Sequence, residues 1–106
     1  MICAEFVIQD NKICSFSVTG HSGLAPAPGD ILCASVSAMT MLVINTVTEV
    51  FGADLDLVIE EETPLISARL VSVPAKSASA VQGVFHGLKL QLEDLRETWP
   101  DYLRVR

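Results

Sequence analysis

The sequence predicts an α+β fold: a mainly antiparallel sheet with two helices packed on one face, in the order β-β-α-β-β-α-β. Three observations carry that expectation. Short segments with period-two alternation come in two adjacent pairs. Each pair is followed by a long segment with apolar residues at helical spacing. The chain has 106 residues, of which 50% are hydrophobic and 19% charged, enough for one core and too few for two. Residues 1–106 are therefore read as a single domain.

Ile2, Ala4, Phe6 and Ile8 alternate with Cys3, Glu5 and Val7 as a first strand. Asp10-Asn11 reads as a tight turn. Cys14, Phe16 and Val18, alternating with Ser15, Ser17 and Thr19, pair back as a second strand. That turn sets Cys3 opposite Val18 and Cys14 opposite Val7, so the two thiols do not face each other. Asp30 is a good N-cap for a helix carrying Leu32, Val36, Met39, Val43, Val47 and Val50, which runs to about Phe51 and stops at Gly52. Ile31, Met41, Leu42 and Ile44 make this helix apolar nearly all round. One side should meet the sheet, and the other needs a second cover, from the other helix or a partner subunit.

Leu55, Leu57 and Ile59 give a third strand, Glu62-Thr63-Pro64 a turn, and Ile66, Ala68 and Leu70 a fourth strand broken by Pro74. Ser77 or Ser79 can cap a second helix striped by Val81, Val84, Phe85, Leu88, Leu92 and Leu95, with Gln82, His86, Lys89, Glu93 and Glu97 on its wet face. Leu103 and Val105 suggest a short last strand.

Composition narrows the function classes. The net charge is −6 and no Lys/Arg patch exists, which argues against direct nucleic-acid binding. The acidic surface suits a basic protein partner or serves plain solubility, and Glu60, Glu61 and Glu62 read as an exposed turn. Ser35, Ser37, Thr40, Asn45 and Thr46 interrupt the apolar run from Ile31 to Thr48, so a buried helix is expected rather than a membrane span. With no basic segment followed by an apolar block at the N-terminus, a cytoplasmic protein is expected. Cys3 and Cys14 read as small apolar fillers in a reduced compartment, and neither they nor Cys33 give a zinc spacing. No metal or other cofactor is called for.

The segment from Gly20 to Ser37 speaks about chemistry. It sets His21 at the end of a strand and Cys33 in the first turn of a helix, joined by a loop rich in Gly, Ala and Pro. A thiol becomes a useful nucleophile when its anion is stabilised and a base is in reach. The amides of a helix start favour a thiolate and can receive an oxyanion, while an imidazole can take and return the proton. Asp30 either caps the helix or orients His21, and Ser37, one turn beyond Cys33, either binds substrate or bonds back to its helix. Read alone, a Cys in an apolar helix is more often a core residue than a nucleophile, which leaves open a non-enzymatic ribosome-assembly or protein-binding module with a structural Cys33.

The ordered set Gly20-His21, Asp30-Ile31-Leu32-Cys33-Ala34 and Ser37 resembles the signature of the ribosomal-processing cysteine protease family, Prp. The length, the order of elements and the apolar first helix also resemble it over essentially the whole chain. The resemblance implies one cysteine protease domain with Cys33 as nucleophile, His21 as general base, and Asp30 and Ser37 in support. It implies a homodimer, and as substrate the N-terminal extension of large-subunit ribosomal protein twenty-seven, removed during ribosome maturation. It also implies a substrate loop, to which Gly20, Gly23 and Gly29 would lend mobility. In one respect the chain differs from the family pattern: Pro28-Gly29-Asp30 puts the glycine directly before the aspartate, and Pro26 and Pro28 stiffen the loop.

Overall fold

Asp10 and Asn11 both hold positive φ, 53° and 63°, as the two central residues of a type I′ hairpin turn do. They join β1 (Ile2–Gln9) to β2 (Lys12–Thr19) in this computed structural model, which describes residues 1–21 and 30–106. The turn falls where the sequence places it, but the register does not hold along the pair. It slips between Val7 and Ile8, so that Cys3 faces Thr19 and Val7 faces Ser15. Cys14 is the extra residue of a β-bulge, which bends the strand and leaves the ladder one residue out.

The remaining elements are α1 (Ile31–Asn45), β3 (Asp54–Glu60), β4 (Leu65–Ser72), α2 (Ala78–Thr98) and β5 (Leu103–Val105). The sheet order is β3-β4-β2-β1-β5. Every neighbouring pair is antiparallel except β1 and β5, which run parallel with Ile2 opposite Leu103. The sheet is thus mixed, mainly antiparallel as expected, with one parallel pair added at the edge. Reading across the strands, Ala4, Val18, Ile66 and Ile59 stand in one row, and Phe6, Phe16, Ala68 and Leu57 in the next. These rows share a face because side chains alternate along a strand. Phe16 carries the layer contact, its ring edge-on to Phe85 of α2 at 5.6 Å between centroids.

Leu32, Val36, Thr40, Val43 and Ile44 of α1 are buried. The stretch Ile31–Val50 is apolar and long enough to cross a bilayer by length and composition, yet this buried stripe forms a wall of the core. After Asn45 the helix widens into a π-helical turn, Thr46–Val50, and Gly52 at φ 71° ends it. The Thr46 and Thr48 hydroxyls donate to the Leu42 and Ile44 carbonyls at 2.7 and 2.9 Å, holding the last regular turn. The outer strip of α1, with Ile31 and Leu42 each 66% exposed beside Ala34 and Ala38, is not covered by the other described residues.

Two expectations for α2 are corrected. Ser77 stands at the N-cap position, but a 3₁₀ turn, Ala75–Ser77, leads in, so its backbone is helical and it makes no side-chain cap bond, while Ser79 lies inside the helix. Gln82 and His86, expected on the wet face, are half-buried and bonded to the hairpin rather than free in solvent. The Gln82 Oε1 accepts the Ile13 amide at 2.8 Å and its Nε2 donates to the Ile13 carbonyl at 2.9 Å, beside the bulge. His86 Nε2 lies 3.1 Å from the Asn11 carbonyl oxygen, at the hairpin turn. Both residues pin the β1–β2 hairpin, because the helix crosses over its tip. Leu90 and Asp94 are among the residues that face solvent instead.

Candidate active site

Asp30 has an extended backbone, and its Oδ1 accepts the Cys33 amide at 2.9 Å, while its carbonyl accepts the Ala34 amide at 3.1 Å. That is N-cap geometry. The capping role left open by the sequence is therefore filled. It also means that the Cys33 amide is engaged by a carboxylate, so an oxyanion formed at this helix start would need other donors. Cys33 is half-buried in the first turn of α1.

His21 follows Gly20 at the end of β2 and is exposed. Gly20 holds φ at 84° and its amide donates to the Pro64 carbonyl at 3.1 Å. A side chain at Gly20 would collide with the Met1 carbonyl oxygen, so only glycine fits where β2 passes the chain start. This crossing fixes the exit direction of β2 and delivers His21 to the rim of a cleft. Gly23 and Gly29, the other two glycines of the expected substrate loop, lie outside the described residues.

That cleft, of about 360 Å³, is lined by both His21 and Cys33. The structure thus brings the two expected partners to one cavity. Cys33, Ser37 and Met41 recur every fourth residue and form a row along one flank of α1. Across from them stand Ile59 and Glu60 of β3 and Leu65 and Ile66 of β4. Ser35 and Thr40 donate their hydroxyls to carbonyls one turn back, at 2.7 Å each. Ser37 makes no such bond, and its hydroxyl is available to the cleft.

Sequence reasoning missed the far wall. Glu60 and Glu61 are exposed, as the sequence leads one to expect, but they also border the cleft with Ile59 and Pro64. The one legible hint was the four-residue spacing of Met41 from Ser37, which puts Met41 on the same flank as Cys33. Nothing along the chain says which strand end faces that flank.

The match to a family model described as cysteine protease Prp runs over residues 1–104. The chain belongs to that family. Its activity class is accordingly that of a cysteine protease, and a purely structural binding module no longer accounts for it. The ribosomal processing cysteine protease Prp of Bacillus subtilis (strain 168) is 29% identical over 98 residues, spanning 92% of this chain and 88% of that protein. Among solved structures, the essential ribosomal processing protease Prp from S. aureus, with a covalently linked product peptide, superposes with a TM-score of 0.90. It is 19% identical and covers 100% of this chain and 98% of its own. SMU.848 from Streptococcus mutans gives a TM-score of 0.86 at 26% identity, covering 100% of this chain and 92% of its own. Those likenesses establish the Prp fold for this chain.

Proposed function

We propose that this chain is an endopeptidase that removes the N-terminal extension of large-subunit ribosomal protein twenty-seven during ribosome maturation, with Cys33 as nucleophile and His21 as general base. The observation that carries the reading is the single cleft lined by both residues at a helix start. Further support comes from the S. aureus relative, solved with a substrate peptide and with a covalently linked product peptide.

In the first step His21 takes the thiol proton and the Cys33 sulfur attacks the scissile carbonyl carbon. The tetrahedral oxyanion collapses, the C–N bond breaks, and His21 returns the proton to the leaving amine. A water deprotonated by His21 then attacks the thioester, which releases the new carboxylate and restores the thiol. Ser37 offers its unbonded hydroxyl to the substrate, Asp30 holds the helix start, and Gly20, Gly23 and Gly29 serve the loop that receives the peptide. The whole chain acts as one catalytic domain, within a homodimer, in the reducing cytoplasm. No cofactor takes part.

The test is incubation of the purified protein with the intact precursor and location of the cut by mass spectrometry. Cys33→Ala is expected to abolish cleavage while leaving the circular dichroism spectrum unchanged. His21→Ala is expected to slow cleavage by about 10²- to 10⁴-fold and to slow alkylation of Cys33 by iodoacetamide at neutral pH. Undiminished cleavage by Cys33→Ala would remove the thiol from the mechanism.

A further inference from the structure

The proposed protease needs a way to hold an extended peptide, and its sheet has an edge that no chain segment covers among the described residues. β3 is the outer strand next to β4. Sheet edges are normally blunted by short length, proline, bulges or charge. The opposite edge, β5, has three residues. β3 has seven, and at its centre Leu57, Val58 and Ile59 follow one another without a charge, 39, 43 and 48% exposed. Its one irregularity against β4 lies at the far end, between Asp54 and Leu55. Leu57 and Ile59 sit on the helix-facing side of the sheet, in register with Ala68 and Ile66, yet stay half uncovered.

The edge also leads into the cleft. Ile59 and Glu60, at the end of β3, line the same cavity as Cys33, and the row Cys33, Ser37, Met41 faces them. From this continuity we propose that the substrate peptide binds as a sixth strand along the free edge of β3, its main chain paired with β3 and its scissile carbonyl presented to Cys33. Main-chain pairing of this kind supplies affinity, while alternate side chains enter the groove beneath α1. The inference rests on the endopeptidase reading above.

The experiment is a backbone N-methylation scan of a peptide spanning the cleavage junction, with cleavage by the wild-type protein and binding to Cys33→Ala as readouts. Strand pairing directs every second peptide amide toward β3, so methylation is expected to lower kcat/KM and affinity about threefold to tenfold at alternate positions only. A parallel pair of variants, Leu57→Pro and Val58→Pro, tests the protein side. Successive amides of a strand point to opposite sides, so one proline removes an amide bonded to β4 and lowers the melting temperature. The other removes only the outward amide, which an edge strand tolerates. That second variant is expected to keep its melting temperature and lose cleavage by a similar factor. If the unmethylated peptide is not cut, the endopeptidase reading fails and this inference with it. If it is cut but the scan is flat, or the outward proline cleaves normally, only the edge-pairing inference is overturned. A flat scan together with a lower sedimentation mass for that proline variant would assign the edge to a second copy of the chain instead.

Discussion

Asp30 is 6% exposed and its carboxylate meets the amide of the residue proposed as nucleophile. Replacing it by alanine leaves an orphan donor in the first turn of α1. Asp30→Ala is expected to destabilise the protein by about 1 kcal/mol, a fall in melting temperature of about 5 °C, with most of that loss recovered by Asp30→Asn. Thermal unfolding of the two variants side by side checks it, and equal loss in both would mean that charge rather than capping matters there. The cap could be read from the sequence because Asp before an apolar helix start has a local meaning. That His21 and Cys33 line one cleft could be anticipated from their residue types and from the family pattern, since each bears chemistry of its own. Glu60 and Glu61 carried no such mark: their role as a wall depends on strand β3 ending opposite α1, which is a property of the tertiary fold.

Alternation and helical spacing located every strand and both helices, since each buries one face and so writes its period into the sequence. The bulge at Cys14 left no trace, because Cys14 and Ser15 are both small and either fits a slipped register. The π-helical turn at Thr46–Val50 was hidden for a similar reason: its valines continue the apolar pattern of α1. In α2, Gly83 and Gly87 interrupt an otherwise helix-forming stretch, and a methyl group at either would meet nothing within 4 Å. Gly83→Ala is therefore expected to raise stability by about 0.5–1 kcal/mol in urea unfolding without touching cleavage. Gly20→Ala is expected to do the reverse, because the added methyl meets the Met1 carbonyl oxygen and the positive φ becomes strained. A neutral result at Gly20 would show that the Met1 backbone moves aside.

At the scale of the whole molecule, the sequence demanded a second cover for α1, and the monomer supplies only part of it. α2 packs along one flank through Met39 and Val43 against Val84 and Leu88, while Ile31, Ala34, Ala38 and Leu42 stay open. The homodimer proposed above would find an apolar contact in that strip. Leu42→Glu is expected to shift sedimentation from dimer to monomer with the fold retained, and an unchanged mass would place the subunit contact elsewhere. The sheet order was beyond the reach of local pattern, because alternation marks a strand but not its neighbours. Its least foreseeable feature is β5 lying parallel to β1, with Ile2, a floor residue of the cleft, opposite Leu103. A ribosome delivers Leu103 101 residues after Ile2. The strand that braces this floor residue is therefore made only after β1 to β4 and both helices have been synthesised.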